Sequence, residues 1–309
     1  MRIVFCSEPF SPGRVDSAFE REVRAAAGVG LEYELVDFEM LVDELRFAGA
    51  VRRVRSVAVP ETAVYRGWML TPLQYTRLYS ALEDRNIILI NTPEQYRPCH
   101  YLPDSYSVIE QQTPRTVSIP YDDGFSMDRV VDMLRSFGNK PIVLKDYVKS
   151  RKHEWKEACF IPSASDRGAV ERVVVRFLEL QGEDLNEGLV FREFVEFQPL
   201  TEHSRSGMPL TKEFRQVFLN GERICSLEYW DEGDYAGVVP GAELFVDVAK
   251  QVNSSFFTMD VAQTKDGRWM IVELGDGQVA GLPEKTDVLQ FYRKLKKGIE
   301  RLGWKGSES

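Results

Sequence analysis

The sequence predicts an α/β fold that passes into α+β: a parallel sheet covered by helices at the N-terminus, then mixed units that end in antiparallel hairpins. Three observations carry this expectation. Through roughly the first hundred residues short apolar runs alternate with amphipathic stretches, the pattern of strands joined by covering helices. Two dipeptides, Asn220-Gly221 and Asp266-Gly267, stand between strand-like runs and mark hairpins, because a two-residue type I′ turn needs positive φ at both central positions. Hydrophobic residues make up 43% of 309 positions, enough for a sizeable core divided among two or three packed units.

In chain order, Arg2 to Cys6 reads as a buried strand, followed by a loop and a helix from Asp16-Ser17 with Phe19, Val23 and Ala26 on one face. Strands follow at Glu32 to Val36, Ala63 to Tyr65 and Ile87 to Ile90, with a helix at Thr71 to Arg85 that carries a proline near its start. In such sheets ligands meet the loops at the carboxyl ends of strands. Here those ends are Ser7-Glu8, Arg66-Gly67-Trp68 and Asn91-Thr92, so Glu8, Arg66 and Trp68 are candidate substrate contacts. The plainer alternative is that Trp68 packs and Arg66 pairs with an acid.

Two short helical segments between Pro93 and Gln112 lead to a strand at Thr116 to Ile119, a helix at Ser126 to Ser136, and an apolar strand, Ile142 to Lys145, that delivers a lysine at its end. The next stretch is basic: Lys149, Arg151, Lys152, His153 and Lys156. It is either a solvated turn or a loop that closes over phosphates. A strand at Cys159 to Ile161, a helix at Asp166 to Gln181 and a strand at Gly188 to Phe194 follow, with Glu202-His203-Ser204 in the loop beyond. Counting outward from Asn220-Gly221 sets Glu213 opposite Glu228 and Arg215 opposite Ser226. A helix is expected at Ala242 to Val252, and an amphipathic one at Thr286 to Leu302, before a polar tail, Gly306 to Ser309, read as disordered.

Charge narrows the function classes. With 48 acidic against 39 basic side chains the net charge is −9, which disfavours non-specific binding to nucleic acid or an anionic membrane. Cys6, Cys99, Cys159 and Cys225 are widely spaced and suggest neither zinc nor a disulfide framework, so a reduced, cytoplasmic setting is expected. No stretch reads as a signal peptide or membrane span. Homo-oligomerisation is left open.

The second hairpin carries the chemistry. Counting from Asp266-Gly267 brings Asp260 directly opposite Glu273. Like charges so placed repel, with Cβ atoms about 5 Å apart, unless something positive lies between them. Their neighbours, Ala262, Trp269 and Ile271 on one face and Met259, Val261, Met270 and Val272 on the other, are apolar, so the acids need a metal, a basic partner or a shared proton. Oxygen ligands favour Mg²⁺ or Mn²⁺, and magnesium commonly borrows further oxygens from phosphates.

Taken together, four features resemble the ATP-grasp superfamily: the strand ending in Lys145, the strand Leu189 to Val195, Glu213-Phe214-Arg215 before Asn-Gly, and the Asp260…Glu273 hairpin. The basic segment Lys145-Asp146-Tyr147-Val148-Lys149-Ser150 is most similar to the clade characterised by one arginine and two lysines. The resemblance implies an N-terminal pre-ATP-grasp domain at 1–100, a lid subdomain at 101–195 and a metal-hairpin subdomain at 196–305. It also implies that ATP and Mg²⁺ are bound, with Lys145 on the α/β-phosphates and Lys149 and Arg151 in the closing lid. Glu193, Phe194 and Val195 would meet adenine, and Arg215 the γ-phosphate or an acyl phosphate. Asp260 and Glu273 would hold the metal. Asp276 stands as a third ligand in place of the asparagine many members carry nearer the glutamate, and no glycine-rich loop is found within Ser150 to Glu157. The implied activity is an ADP-forming ligase that joins a carboxylate to an amine or similar nucleophile through an acyl phosphate. A covalent-lysine nucleotidyltransferase, suggested by Glu187-Gly188-Leu189-Val190 but lacking a glycine after Lys145-Asp146, and a non-catalytic nucleotide-binding module are the alternatives.

Overall fold

The computed structural model describes residues 1–202, 204 and 209–303. The expectations for His203 and for the tail Gly306 to Ser309 lie outside the described residues. The chain opens with β1 (Arg2–Glu8), turns back as β2 (Ser11–Val15), and continues through α1 (Glu20–Gly28), β3 (Glu32–Val36), α2 (Phe38–Val42), β4 (Glu61–Arg66), α3 (Pro72–Glu83) and β5 (Ile87–Leu89). Parallel strands stand in the order β3-β1-β4-β5, with β2 antiparallel at the end of β1 where a loop is expected from sequence. Ile3 to Cys6 and Ala63 to Tyr65 are fully buried, as unbroken apolar runs must be when helices cover both faces of a sheet. Thr71 and Gln74 form a reciprocal capping box at the start of α3, with Pro72 at the first helical position, where its missing N–H costs nothing.

From there α4 (Pro93–His100) and α5 (Leu102–Ile109) lead to β6 (Thr116–Pro120), α6 (Met127–Leu134), β7 (Ile142–Asp146), β8 (Phe160–Ile161), α7 (Arg167–Gln181) and β9 (Gly188–Glu193). These strands form an antiparallel sheet, β6-β9-β7-β8, that shares a core with the apolar faces of α6 and α7, including Val130, Leu134, Val170 and Phe177. Beyond it come the paired β10 (Pro199–Glu202) and β11 (Pro209–Thr211), then β12 (Glu213–Leu219), β13 (Glu222–Glu228), α8 (Val246–Ala249), β14 (Phe256–Gln263) and β15 (Trp269–Asp276). The last sheet runs β13-β12-β14-β15, antiparallel throughout. Finally α9 (Val288–Arg301) returns to the beginning of the chain, burying Phe291, Tyr292, Leu295 and Ile299 in the core that holds Ile3, Phe5 and Leu78. No helix among the described residues is long and apolar enough to cross a membrane.

Three local readings are corrected. The helix expected at Ala242 to Val252 is only the four residues of α8, because Phe245 sits at φ 58, a left-handed conformation that a helix cannot continue through. Asn220 and Gly221 do adopt positive φ, 47 and 75, as a type I′ turn requires. A bulge beside Val217 and Phe218 then shifts the ladder, so Phe214, not Glu213, faces Glu228, and Arg215 faces Leu227. At the other hairpin only Gly267 has positive φ, 90, and Thr264 N–H donates to the Arg268 carbonyl at 2.8 Å. The loop is therefore one residue longer than a two-residue turn. A bulge between Asp260 and Val261 shifts the register back, and Asp260 faces Glu273 after all.

Candidate active site

Register across three strands creates the centre of the site. Arg215 on β12 lies opposite Asp260 on β14, which lies opposite Glu273 on β15. Directly opposed residues share a face, so the three side chains form one row. Arg215 donates from Nε to Asp260 Oδ1 at 2.9 Å and from Nη2 to Oδ2 at 2.8 Å, while Nη1 donates to the Gly281 carbonyl at 2.8 Å. A guanidinium has five N–H donors. One on each of Nη1 and Nη2 is therefore left without a partner among the described residues. Burial pushes the Asp260 carboxyl up, against the pull of Arg215, whose own pKa is raised above its ordinary value: burial opposes the charge, but Asp260 outweighs it.

The second sheet closes over this row. Lys145, near the end of β7, donates to Glu273 Oε2 at 3.2 Å. Burial alone would raise Glu273, yet Lys145 and Lys152 hold it down at about 2. Lys152 would be lowered by burial but is kept above the ordinary lysine value by Glu213 and Glu273. Glu213 is in turn pushed up by burial, with Lys152 opposing. Between the sheets lies a cavity of about 360 Å³. Its apolar wall includes Val143, Leu144, Trp155, Phe194, Leu210 and Val272, and its polar end gathers Lys145, Lys152, Glu213 and Glu273. The segment Glu193 to Phe197 forms one edge. A largely apolar slot that also carries cations suits a flat aromatic group with anionic substituents. Arg192 braces the join of the two sheets, donating from Nη1 to the Val272 carbonyl and from Nη2 to Thr113 Oγ1, both at 2.6 Å; burial lowers its pKa to about 10.

Two smaller spaces adjoin the row. Glu273, Asp260 and Arg215 line one of about 220 Å³ together with Met69, His100, Val148, Tyr229 and Gly281. Arg215, Tyr229 and Gly281 also border another of about 350 Å³, which includes Trp230, Asp231 and Glu232. His100 ends α4, is 9% exposed, and its Nε2 has no hydrogen-bond partner among the described residues. Burial lowers its pKa to about 4, so the imidazole is neutral near pH 7.

Lys145, Glu193, Phe194, Val195 and Glu273 thus meet around the large cavity, with Arg215 and Asp260 beside it. Glu193 spends its carboxylate on Lys140 at 2.7 Å. The other expected residues lie elsewhere. Lys149 is exposed, and its backbone N–H bonds Asp146 Oδ1. Arg151 bonds the Leu180 carbonyl at the end of α7. Lys152, one residue on, is the cation of that basic loop that lines the cavity; a dense charge run carries no signal for which member turns inward. Arg66 is sealed, paired with Glu22 at 2.8 and 2.9 Å, and also holds the Gly277 and Ala280 carbonyls. Trp68 donates to Asp16 at 2.8 Å and Glu8 pairs with Arg14 at 3.5 Å, so neither meets the row. Met69, from the same loop as Trp68, does line the smaller space. The roles of Met69 and His100 had no signal in the sequence, because both depend on how the N-terminal unit docks.

The acids fit a hard cation in part. Glu273 uses only Oε2, leaving Oε1 to coordinate, and Asp260 is directly opposite. Asp276 does not fit. Three residues beyond Glu273 along β15, it borders the same 220 Å³ space as Asp260 and Glu273, but its carboxylate is already engaged. Its carboxylate accepts from Asn91 Nδ2 at 2.5 Å and from Gln278 N at 2.8 Å, and burial raises it to about 7. Among the described residues no three His, Cys, Asp or Glu side chains form a metal cluster.

A family model described as the ATP-grasp domain, R2K clade family 3, matches residues 136–295. Among solved structures the chain is similar to a RimK-domain ATP-grasp protein from Sphaerobacter thermophilus DSM 20745, with a TM-score of 0.59 and 14% identity over 96% of this chain and 99% of that one. It is similar also to the D-cycloserine synthetase DcsG, at 0.57 and 17% over 96% and 99%. The ATP-grasp ligase PsnB, in complex with minimal precursor, Mg and ADP, gives 0.55 and 13% over 97% and 98%. No curated protein sequence matches significantly. Likeness at these identities speaks for the fold, a parallel N-terminal sheet followed by two antiparallel ones. With more than half of its length matched by the family model, the chain belongs to the ATP-grasp superfamily, in R2K clade family 3.

Proposed function

We propose that this protein is an ATP- and Mg²⁺-dependent ligase that joins a carboxylate to an amine or similar nucleophile, releasing ADP and phosphate. The observation that carries the reading is the row Arg215–Asp260–Glu273, set between an apolar slot that carries Lys145 and Lys152 and a second space that shares Glu273 with it. One space suits the nucleotide and the other an acceptor. Adenine takes the apolar slot against the backbone of Glu193 to Val195, and Lys145 and Lys152 face the phosphates. Asp260 and Glu273 would hold Mg²⁺, which supplies charge neutralisation on the phosphates. The similar PsnB is described with Mg and ADP, which supports the same pair here.

In the first step a substrate carboxylate oxygen attacks the γ-phosphorus, the bond to the β-bridging oxygen breaks, and ADP leaves with that electron pair. In the second the nucleophile adds to the carbonyl carbon, the carbon–oxygen bond to phosphate breaks, and phosphate departs as the nucleophile loses a proton. The protein's part is to place charge. Lys145, Lys152 and the two unpartnered N–H groups of Arg215 face oxygens that gain negative charge in both steps. A reduced, cytoplasmic setting is consistent with the four cysteines, all free thiols.

ADP release with panels of carboxylic acids and amines, with and without Mg²⁺, tests the reading. Asp260→Asn is expected to abolish Mg²⁺-dependent turnover, and full activity in that variant would remove the metal assignment. AMP attached to Lys145 would instead mark a nucleotidyltransferase.

A further inference from the structure

Two lysines line the slot between the antiparallel sheets, and the fold delivers them by different means. Lys145 stands on β7, where the ladder to β9 fixes its backbone opposite Val190. Lys152 lies seven residues on, outside any strand, in a loop whose charge pattern favours none of its cations. Yet Lys152 is the one that turns inward, with its Nζ 5.9 Å from the centre of the Trp230 ring. Lys149 stays exposed, and Arg151 bonds the Leu180 carbonyl. Ordering a long side chain on a loose loop loses backbone and side-chain entropy together, so a lysine that serves a site from a loop needs that loop fixed beforehand.

Asp146, the last residue of β7, is fully buried, and five neutral N–H groups converge on its carboxylate. Oδ1 accepts from Val148 N at 2.7 Å and from Lys149 N, while Asp146 N donates to the Lys149 carbonyl at 2.9 Å, so residues 146–149 close into a tight loop. Oδ2 accepts from Gln181 Nε2 and Asn186 Nδ2, each at 2.8 Å, and from Asn186 N at 3.2 Å. Gln181 is the last residue of α7 and Asn186 lies just before β9, so one side chain ties the start of the basic loop to the end of a helix. Arg151 adds a second tie to the same helix end, from Nη2 to the Leu180 carbonyl, one residue before Lys152. The receiving end is itself held, since Glu187 accepts from Arg97 Nη1 at 2.6 Å and Nη2 at 2.7 Å. A carboxylate has no N–H of its own and accepts at every one of these places; an amide would set its NH₂ against donors.

We propose that Asp146 and Arg151 are positioning residues: their two ties to the end of α7 set the register of the basic loop and so aim Lys152, rather than its neighbours, at the phosphates of the nucleotide. The proposal rests on the ligase reading and adds the residues that place one of its two phosphate lysines. Neither Asp146 nor Arg151 lines the slot, so both act through Lys152. Lys145, held by its own strand, does not depend on them.

Affinities of the full-length protein for adenosine and for a non-hydrolysable ATP analogue with Mg²⁺ separate aiming from general stability, because adenosine has no phosphate to meet Lys152. In Asp146→Asn the ATP analogue should bind about tenfold or more weakly, the scale of one lost charged contact, with adenosine within about twofold of wild type. Arg151→Met, at a half-buried position, leaves the Asp146 tie in place and should give the same pattern to a smaller degree; it carries the test if Asp146→Asn does not fold. A double-mutant cycle then identifies the route. Lys152→Met should weaken the ATP analogue by about tenfold or more on its own, and adding either other substitution to it should weaken the analogue by less than about twofold further. The proposal is overturned if both variants weaken adenosine and the ATP analogue alike, if neither changes the affinity for the analogue, or if their losses add to that of Lys152→Met. Each of those results leaves the ligase reading standing, whereas failure of the wild type to bind the ATP analogue would remove that reading and the proposal together.

Discussion

Two arginines in this molecule make nearly the same ion pair and do different work. Arg66 grips Glu22 through Nε and Nη2, and Arg215 grips Asp260 through the same two atoms. Both also hold the loop that follows β15, Arg66 through the Gly277 and Ala280 carbonyls and Arg215 through that of Gly281. The difference is what remains. Arg66 is 2% exposed and spends both Nη1 donors on that loop, whereas Arg215 borders two cavities and keeps one donor on each terminal nitrogen. An arginine sealed from solvent with four of its five donors spent fixes a fold; one with two donors left beside a cavity is available to a ligand. The inference from strand ends had pointed to the first, and side-chain accounting points to the second.

Substitutions can separate the two. Arg66→Met should be the most damaging, because it strands Glu22, which among the described residues would keep only the 2.7 Å hydrogen bond from the Tyr292 hydroxyl. A loss of about 3–5 kcal/mol is expected in urea unfolding. Arg215→Lys retains the charge against Asp260 but loses the planar fork. Its ADP release should fall by about 10²–10³-fold with a melting temperature close to that of the wild type. A stability loss as large as that of Arg66→Met would erase the distinction.

A smaller effect is expected at Asp276, which belongs to the docking of the N-terminal unit. Asn91 Oδ1 accepts from Ser255 N and Phe256 N, which fixes its Nδ2 as a donor toward Asp276. Both oxygens of Asp276 are needed as acceptors. Asp276→Asn would turn an amide donor on a donor and should cost about 1–3 kcal/mol by thermal unfolding, without removing Mg²⁺-dependent nucleotide binding. Loss of metal dependence alone would restore this residue to the metal site.

The weakest effect is one of pH. Glu273 is held at about 2 in the fold against 4.5 for an ordinary glutamate. A depressed carboxylate contributes stability that is full above 4.5 and is lost as pH falls through about 2. Because the Glu273 side chain is 36% exposed, solvent screens part of that contribution. Wild type should lose more stability than Glu273→Gln between pH 4.5 and 2, and parallel curves would mean that Lys145 and Lys152 contribute nothing there.

How much of this was legible depends on whether the signal was local. Strands and helices followed from apolar period, and Asp260 opposite Glu273 was read from a turn dipeptide. That pairing came right through two opposed shifts, since the longer loop at Lys265 to Gly267 and the bulge beside Asp260 cancel. At Asn220-Gly221 the turn was read correctly and the pairing beyond it was not, because a bulge adds a residue without a sequence mark. Lys145 was visible because a strand delivers it. Lys152 and His100 were not, since a loop's inward cation and a helix's last residue acquire meaning only from what packs over them.

The central claim is that the slot between the two antiparallel sheets takes ATP with its metal on the β14–β15 carboxylates. A crystal grown with a non-hydrolysable ATP analogue and Mg²⁺ tests it most directly. The expected density has adenine against Glu193 to Val195, phosphates at Lys145 and Lys152, and the metal on Glu273 and Asp260, with Asp276 still bonded to Asn91. Nucleotide bound outside that slot, or metal held by residues away from the Arg215–Asp260–Glu273 row, would contradict the account.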